Sequence, residues 1–283
     1  MASFTNFATL SYNGGTTNSN IVTGEILEAL TAVKTAVSAN YSAGDRITYA
    51  LSLVNTGTTA ITDYTVTDNL GGYTVGANTV YPLAYNAGTV RYYINGVLQT
   101  APTVTAGPPL TVTGLTVPAG GNAVLIYETT ATPVAPLATD SSITNTATII
   151  GGGLTNPITA QATVEAANSA DLTISKALSP TTVTENGQIT YTFVISNTGN
   201  TEATAADNVV VTDTFDPILR NIAVTYNGTA WTEGTNYTYN AATGVFTTLA
   251  GQITVPAATF TQNTDGTFTV TPGTTTLVIT GTV

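Results

Sequence analysis

The sequence predicts an all-β protein of two tandem β-sandwich domains, and three observations carry that prediction. Thr, Ala, Val, Gly and Asn dominate, Tyr is the main aromatic, and only 7% of residues are charged; such compositions form short strands between turns. Residues 29–57 (ALTAVKTAVSANYSAGDRITYALSLVNTG) align without a gap to residues 171–199 (DLTISKALSPTTVTENGQITYTFVISNTG), with Lys34 opposite Lys176 (176 − 34 = 142). The segment ITNTATIIGGG (residues 143–153) recurs ahead of the first repeat as FTNFATLSYNGG (residues 4–15), with Asn6 opposite Asn145 (145 − 6 = 139) and Ala8 opposite Ala147. Self-similarity at this offset means that the chain holds two copies of one β-domain.

Taken in order, residues 1–26 stand ahead of the repeat, residues 27–166 form its first copy and residues 167–283 its second. The run GEILEALTAVKTAV has helix-forming residues with apolar spacing at Leu27, Leu30, Val33 and Val37, and local propensity favours a helix there. Its gapless partner DLTISKALSP alternates as a strand, so a strand is expected in both copies. YTVTDNL (residues 64–70) matches VVVTDTF (residues 209–215) after a three-residue insertion, which puts Asp68 opposite Asp213. NAVLIYETTA (residues 122–131) corresponds loosely to TTTLVITGTV (residues 274–283). Asn95-Gly96, Asn227-Gly228 and Asp265-Gly266 read as two-residue hairpin turns, and Pro118, Pro180, Pro217 and Pro256 fall where strands end. About seven short strands per copy suit an immunoglobulin-like sandwich.

The copies are not equally complete. The first includes the NTAT strand and a following run, PITAQATVEA; the second stops at LVITGTV, before those closing strands. Residues 4–26 carry an unclaimed closing segment whose second run, NIVTGEI, places Glu25 opposite Glu165 once a gap is allowed. A sandwich short of a strand presents unpaired backbone and an apolar groove. The expectation is that residues 1–26 are a donor strand segment for the second domain of a neighbour, burying Phe4, Ala8 and Leu10. Donor and acceptor surfaces differ, so the contact is head-to-tail and gives an open polymer of the chain with itself unless a ring closes.

Several polar residues share strand parity with the core. Lys176 lies in register with Leu172, Ile174 and Leu178, Asn145 with Ile143, Ala147 and Ile149, Asp213 with Val209, Val211 and Phe215, and Asn6 with Phe4, Ala8 and Leu10. Asp68 sits with Val66 and Leu70. Lys34 and Lys176 are the chain's two lysines, and both occupy this position. An unpaired buried charge is costly, so these groups must be paired or chemically changed. Burial lowers an amine's pKa and raises a carboxyl's, which leaves a nucleophile beside an acid able to polarise a carboxamide. The expected chemistry is an isopeptide bond, Lys34 to Asn145 within the first domain with Asp68 assisting, and Lys176 to Asn6 between subunits with Asp213 assisting. The other reading, a buried salt bridge capped by the Asn amide, stays open. Glu128 is a rival acid in the first copy alone.

DLTISKALSP, ITYTFVISNTG, VVVTDTF and ITNTATI resemble the tandem immunoglobulin-like repeats of unknown function found in Gram-positive and archaeal surface proteins. The lysine, acid and asparagine arrangement is similar to that of isopeptide-bearing pilin and adhesin domains. The resemblance implies a structural role outside the cell or on a cell or spore surface, and by motif match it carries the cross-link roles to Lys34, Asp68, Asn145, Lys176, Asp213 and Asn6. Family members usually have a signal peptide and a wall anchor, and neither is read in this sequence; a spore appendage freed by lysis of the mother cell would need neither.

Other functions fit less well. A net charge of −11 with five Lys and Arg gives no basic footprint for nucleic acid or anionic membrane. Without His or Cys most metal sites and nucleophile pairs are gone, so no cofactor and no enzyme activity on another molecule are expected. Trp231 with Tyr226, Tyr237 and Tyr239 suggests a sugar platform, though such residues more often pack as core. A monomeric adhesin or carbohydrate-binding module is therefore the alternative to a filament subunit, whose anchoring partner the sequence does not name.

Overall fold

The computed structural model describes residues 2–26 and 29–283, and it is built almost entirely of strands. An arm comes first: β1 (Ala2–Asn6), β2 (Thr9–Tyr12), β3 (Gly15–Asn18) and β4 (Val22–Ile26). There follow β5 (Leu30–Ala36), β6 (Asn40–Tyr41), β7 (Arg46–Asn55), β8 (Ile61–Asp68), β9 (Tyr73–Val75), β10 (Asn78–Val80) and β11 (Leu83–Tyr85). Then come β12 (Arg91–Ile94), β13 (Val97–Leu98), β14 (Thr103–Thr105), β15 (Leu110–Val117), β16 (Asn122–Ala131), β17 (Ser142–Gly151) and β18 (Ile158–Ala166). The last group is β19 (Leu172–Ser179), β20 (Gln188–Asn197), β21 (Thr212–Thr214), β22 (Arg220–Tyr226), β23 (Thr229–Trp231), β24 (Tyr237–Asn240), β25 (Val245–Thr248), β26 (Thr259–Gln262), β27 (Phe268–Thr271) and β28 (Gly273–Thr282).

The strands from β5 to β18 make two facing sheets, ordered β13-β12-β16-β7-β5 and β14-β15-β8-β17-β18-β6, with β11 also on β16, while β9 and β10 form a separate two-stranded hairpin. Period-two alternation drives the packing: along β7, Ile47, Tyr49, Leu51 and Leu53 are fully buried, while the residues between them lie nearer solvent. They meet Val112, Leu115 and Val117 of β15 and Ile143, Ala147 and Ile149 of β17 in one core. Residues 30–36 are a strand, paired with β7 from Leu30–Asn55 to Ala36–Tyr49. A whole ladder outweighs the few tenths of a kcal/mol per residue of helix propensity. Leu27, the first residue of the helix-like spacing, lies outside the described residues.

From β19 onward the same layout recurs around a separate core that includes Phe193, Ile195, Phe215, Phe246, Leu277 and Ile279. One sheet, β19-β20-β28-β22-β23, repeats β5-β7-β16-β12-β13; the other is β21-β25-β24, repeating β8-β15-β14. It stops at β21, where the first sandwich continues with β17, β18 and β6.

Asn95-Gly96 and Asn227-Gly228 are two-residue turns with positive φ at all four residues, closing β12–β13 and β22–β23. The expected tight turn at Asp265-Gly266 is instead part of a longer loop between Gln262 and Phe268. There Asp265 Oδ1 accepts from the Thr267 N–H and hydroxyl, and Asn263 N donates to Thr267 O. These side-chain bonds stabilise a wider loop than an Asp-Gly pair alone requires. The β26–β27 hairpin reaches the first sandwich, where Gln262 Nε2 donates to the Tyr73 hydroxyl at 2.9 Å. Asn200 pins the junction as well: its Nδ2 donates to Leu137 O and Ala167 O, and its backbone oxygen accepts from the Thr139 hydroxyl.

Candidate functional site

In the first sandwich β5 points Lys34 into the core and β8 delivers Asp68 opposite it. Lys34 Nζ donates to Asp68 Oδ2 at 2.6 Å, with both side chains shielded from solvent. Leu70 N donates to Asp68 Oδ1 at 2.9 Å, and the Tyr127 hydroxyl donates to the same Oδ2 that takes the lysine. The ammonium lies 4.9 Å from the Tyr49 ring centroid, and Tyr49 stacks on Tyr127 at 5.8 Å. Burial pushes the Lys34 amine down to about 8 against the opposing pull of Asp68. At neutral pH about a tenth of it is then the neutral nucleophile.

Asn145 completes this cluster from β17, two residues before Ala147, which pairs with Asp68 across the β17–β8 ladder. It is fully buried, and its carboxamide lies against the Tyr49 and Tyr127 hydroxyls, the same rings that flank Lys34. Neither Asn145 Nδ2 nor Oδ1 makes a well-formed hydrogen bond, nor does the Tyr49 hydroxyl. Each unsatisfied buried polar atom costs about 1–3 kcal/mol; attack of the lysine amine on the amide carbon would expel Nδ2 from the core as ammonia and leave Oδ1 as the carbonyl of the new amide. Glu128, the rival acid, lies apart at the surface, 3.5 Å from Arg46. Tyr127 carries no signal in the repeat, because the two copies do not share it. Its counterpart opposite Tyr191 is Ile279.

Two outcomes test whether this centre reacts. If Lys34 is joined to Asn145, the intact mass of the purified chain falls short by one ammonia, and Asn145→Ala removes that deficit. In the Asn145→Ala chain the Lys34 amine stays free, with a folded-state pKa of about 8 below the ordinary 10.5. Between those values the unfolded chain binds more protons, so the unfolding free energy should rise with pH. Denaturant midpoints measured across that window should climb in Asn145→Ala and stay level, as far as this group is concerned, in the cross-linked chain.

The second centre is built alike but left open. Lys176 Nζ donates to Asp213 Oδ2 at 2.5 Å, yet the lysine side chain is 40% exposed where that of Lys34 is fully shielded. The ammonium lies 4.4 Å from the Tyr191 ring centroid, and Thr214 N donates to Asp213 Oδ1 at 3.0 Å. On the same strand Ile174 is 56% and Leu178 39% exposed, whereas their counterparts on β5, Ala32 and Ala36, are half-buried. The cause is topological. In the first sandwich β18 packs across β5 and β17 pairs with β8. Among the described residues β21 pairs with β25 alone, and no strand lies across β19.

The arm repeats the base register of the β17–β18 hairpin. β1 pairs with β4 from Ala2–Ile26 to Asn6–Val22, and β2 with β3 from Thr9–Asn18 to Tyr12–Gly15. Asn13-Gly14, with φ of 38° and 77°, makes the turn. The β17–β18 hairpin pairs Ser142 with Glu165 and Asn145 with Ala162; the arm pairs Ser3 with Glu25 and Asn6 with Val22. The offsets are 139 on the first strand (145 − 6) and 140 on the second (162 − 22), so the register at the hairpin base is the same. The ladders meet at an irregularity where Ala8 bonds twice to Ser19, the gap already visible in the alignment. Phe4 lies over Gly24, whose missing Cβ would sit 2.4 Å from the ring. Phe4, Leu10, Tyr12 and Val22 are each more than half exposed, and Asn6 and Ala8 are exposed too.

The candidate sugar platform does not form as an open surface. Tyr237 is in the core, Tyr226 stacks on Trp231 at 4.8 Å and donates to Thr254 O, and Tyr239 packs near Phe215 and donates to Leu219 O.

No family model and no curated protein matches the chain. Among solved structures it is similar to BcpA, the major pilin subunit of Bacillus cereus, at 14% identity and a TM-score of 0.37, covering 96% of this chain and 73% of that one. It is also similar to the full-length major pilin SpaD of Corynebacterium diphtheriae, at 16% identity and a TM-score of 0.36, covering 86% of this chain and 59% of that one. The pilus backbone RrgB of Streptococcus pneumoniae gives 11% identity and a TM-score of 0.35, covering 86% of this chain and 55% of that one. The chain thus spans little more than half of the latter two proteins. Likeness of this size does not carry a role from one protein to another.

Proposed function

We propose that the chain is a structural filament subunit in which the arm of one copy closes the second sandwich of the next. One observation supports the reading: among the described residues the arm strands pair only with one another, in the base register of β17–β18, and no hairpin pairs with β21 where β17–β18 pairs with β8. Burying Phe4, Leu10 and Val22 against Ile174 and Leu178 contributes about 1.5–3 kcal/mol for each large side chain, before the ladder to β21 is counted. Donor and acceptor are different surfaces of the chain, so the contact is head-to-tail and propagates into a filament unless a ring or a reciprocal exchange closes it.

The same docking delivers Asn6 to Lys176 and Asp213 and gives the lysine the dry surroundings that Lys34 already has. Lys176 Nζ attacks Asn6 Cγ of the neighbour, the Cγ–Nδ2 bond breaks, Asp213 relays a proton from the amine to the departing nitrogen, and ammonia leaves. The pair is assembled beforehand but wet, so docking is the trigger. Such a polymer, continuous in covalent bonds, suits a surface outside the cell. Electron microscopy of the purified chain should show unbranched filaments. A protein that stays monomeric at high concentration would contradict the proposal.

A further inference from the structure

The face of the arm turned away from the groove has no role in this scheme, yet it carries two large apolar residues. Phe7 is 55% and Ile21 67% exposed. By the repeat offsets they stand where Thr146 and Gln161 stand on the β17–β18 hairpin (146 − 139 = 7; 161 − 140 = 21), and those two are neighbours across that ladder. Beside Thr146 lies Asn69, whose backbone N–H donates to Thr146 O at 3.0 Å and whose Oδ1 accepts the Thr146 N–H at 2.8 Å. The outer row in the first sandwich is therefore polar: Asn69, Thr146, Gln161.

In the second sandwich Asp213 replaces Asp68, so Thr214 replaces Asn69, and Thr214 pairs with Val245, which is 36% exposed. Resting on the proposed strand donation, we infer that the arm docks in a single register, with Ala8 opposite Asp213 and Thr9 opposite Thr212, as Ala147 and Thr148 stand opposite Asp68 and Thr67. That register lays Val245, Thr214, Phe7 and Ile21 in one cross-strand row on the outer face. Side chains in such a row stabilise each other. The row sets the arm apart from the β17–β18 hairpin, whose Thr146 meets the Asn69 amide at the same place in the first sandwich. The arm thus reads its acceptor on both faces, and the partner it fits is a second copy of this chain.

The natural chain has no cysteine, so engineered pairs report register without background, and Asn6→Ala removes isopeptide linkage from the readout. In that setting Thr9→Cys with Thr212→Cys should give an oxidised, reducible ladder, whereas Ser11→Cys with Thr212→Cys should not. An arm peptide of residues 2–26 with Phe7→Thr and Ile21→Gln should bind an arm-deleted chain about tenfold more weakly than the natural peptide. A ladder from the Ser11 pair alone would overturn the register while leaving strand donation intact. Equal binding by the two peptides would overturn the row's part in docking. Absence of filaments and of both ladders would overturn strand donation itself.

Discussion

Deleting residues 2–26 is expected to leave two folded sandwiches that form no filament at any concentration. The arm has no described contact with either core, since its strands pair only with one another, so its loss removes nothing from the two cores. Sedimentation velocity should show one monomeric species with an unfolding transition like that of the parent monomer. Added arm peptide should bind once per chain and, in the full-length protein, shorten filaments by capping acceptor grooves. A truncated chain that still polymerises would mean that subunits meet through another surface.

The second large effect is chemical. Asn6→Ala should keep docking, because the removed amide is one polar group among Phe4, Ala8, Leu10 and Val22, but it should abolish the ladder that survives boiling in SDS. Lys176→Ala should do the same from the acceptor side. Mixing these two variants should not restore the ladder: an Asn6→Ala groove can receive the natural Asn6 from a Lys176→Ala chain, but the joint that follows lacks its lysine. Products should therefore stop at the covalent dimer. Asn145→Ala leaves the intersubunit centre whole, so its ladder should persist while the ammonia deficit of the first sandwich disappears. A ladder unaffected by Asn6→Ala would assign the linkage to another residue.

Much of this was legible in the sequence because the chain repeats itself. The gapless match of residues 29–57 to residues 171–199 fixed the strand character of residues 30–36 against a helical propensity. Period-two parity then placed Lys34, Asp68 and Asn145 inward, where they are buried. What the two copies do not share was harder to read. Tyr127 holds Asp68 but has Ile279 as its counterpart, so no repeat marked it. The β26–β27 hairpin has no equivalent between β15 and β16, and its contact with Tyr73 joins residues 189 positions apart, beyond any local pattern. The Ser19 irregularity showed as an alignment gap, but only the paired strands give it a place between two ladders. Asp265-Gly266 favoured a tight turn by type, and side-chain bonds from Asp265 decided for a wider loop.

The central claim is that the arm of one molecule lies in the second sandwich of another, and isotope mixing tests it most directly. Subunits grown with natural and heavy nitrogen would be unfolded, combined in equal amounts, refolded into filaments and digested, and the fragment joining Asn6 to Lys176 weighed. Strand donation between copies predicts hybrid fragments, one half light and the other heavy, as abundant as the two uniform kinds together. Linked fragments that are always uniform would place the arm in its own chain, and the absence of any Asn6–Lys176 fragment from assembled material would contradict the covalent joint.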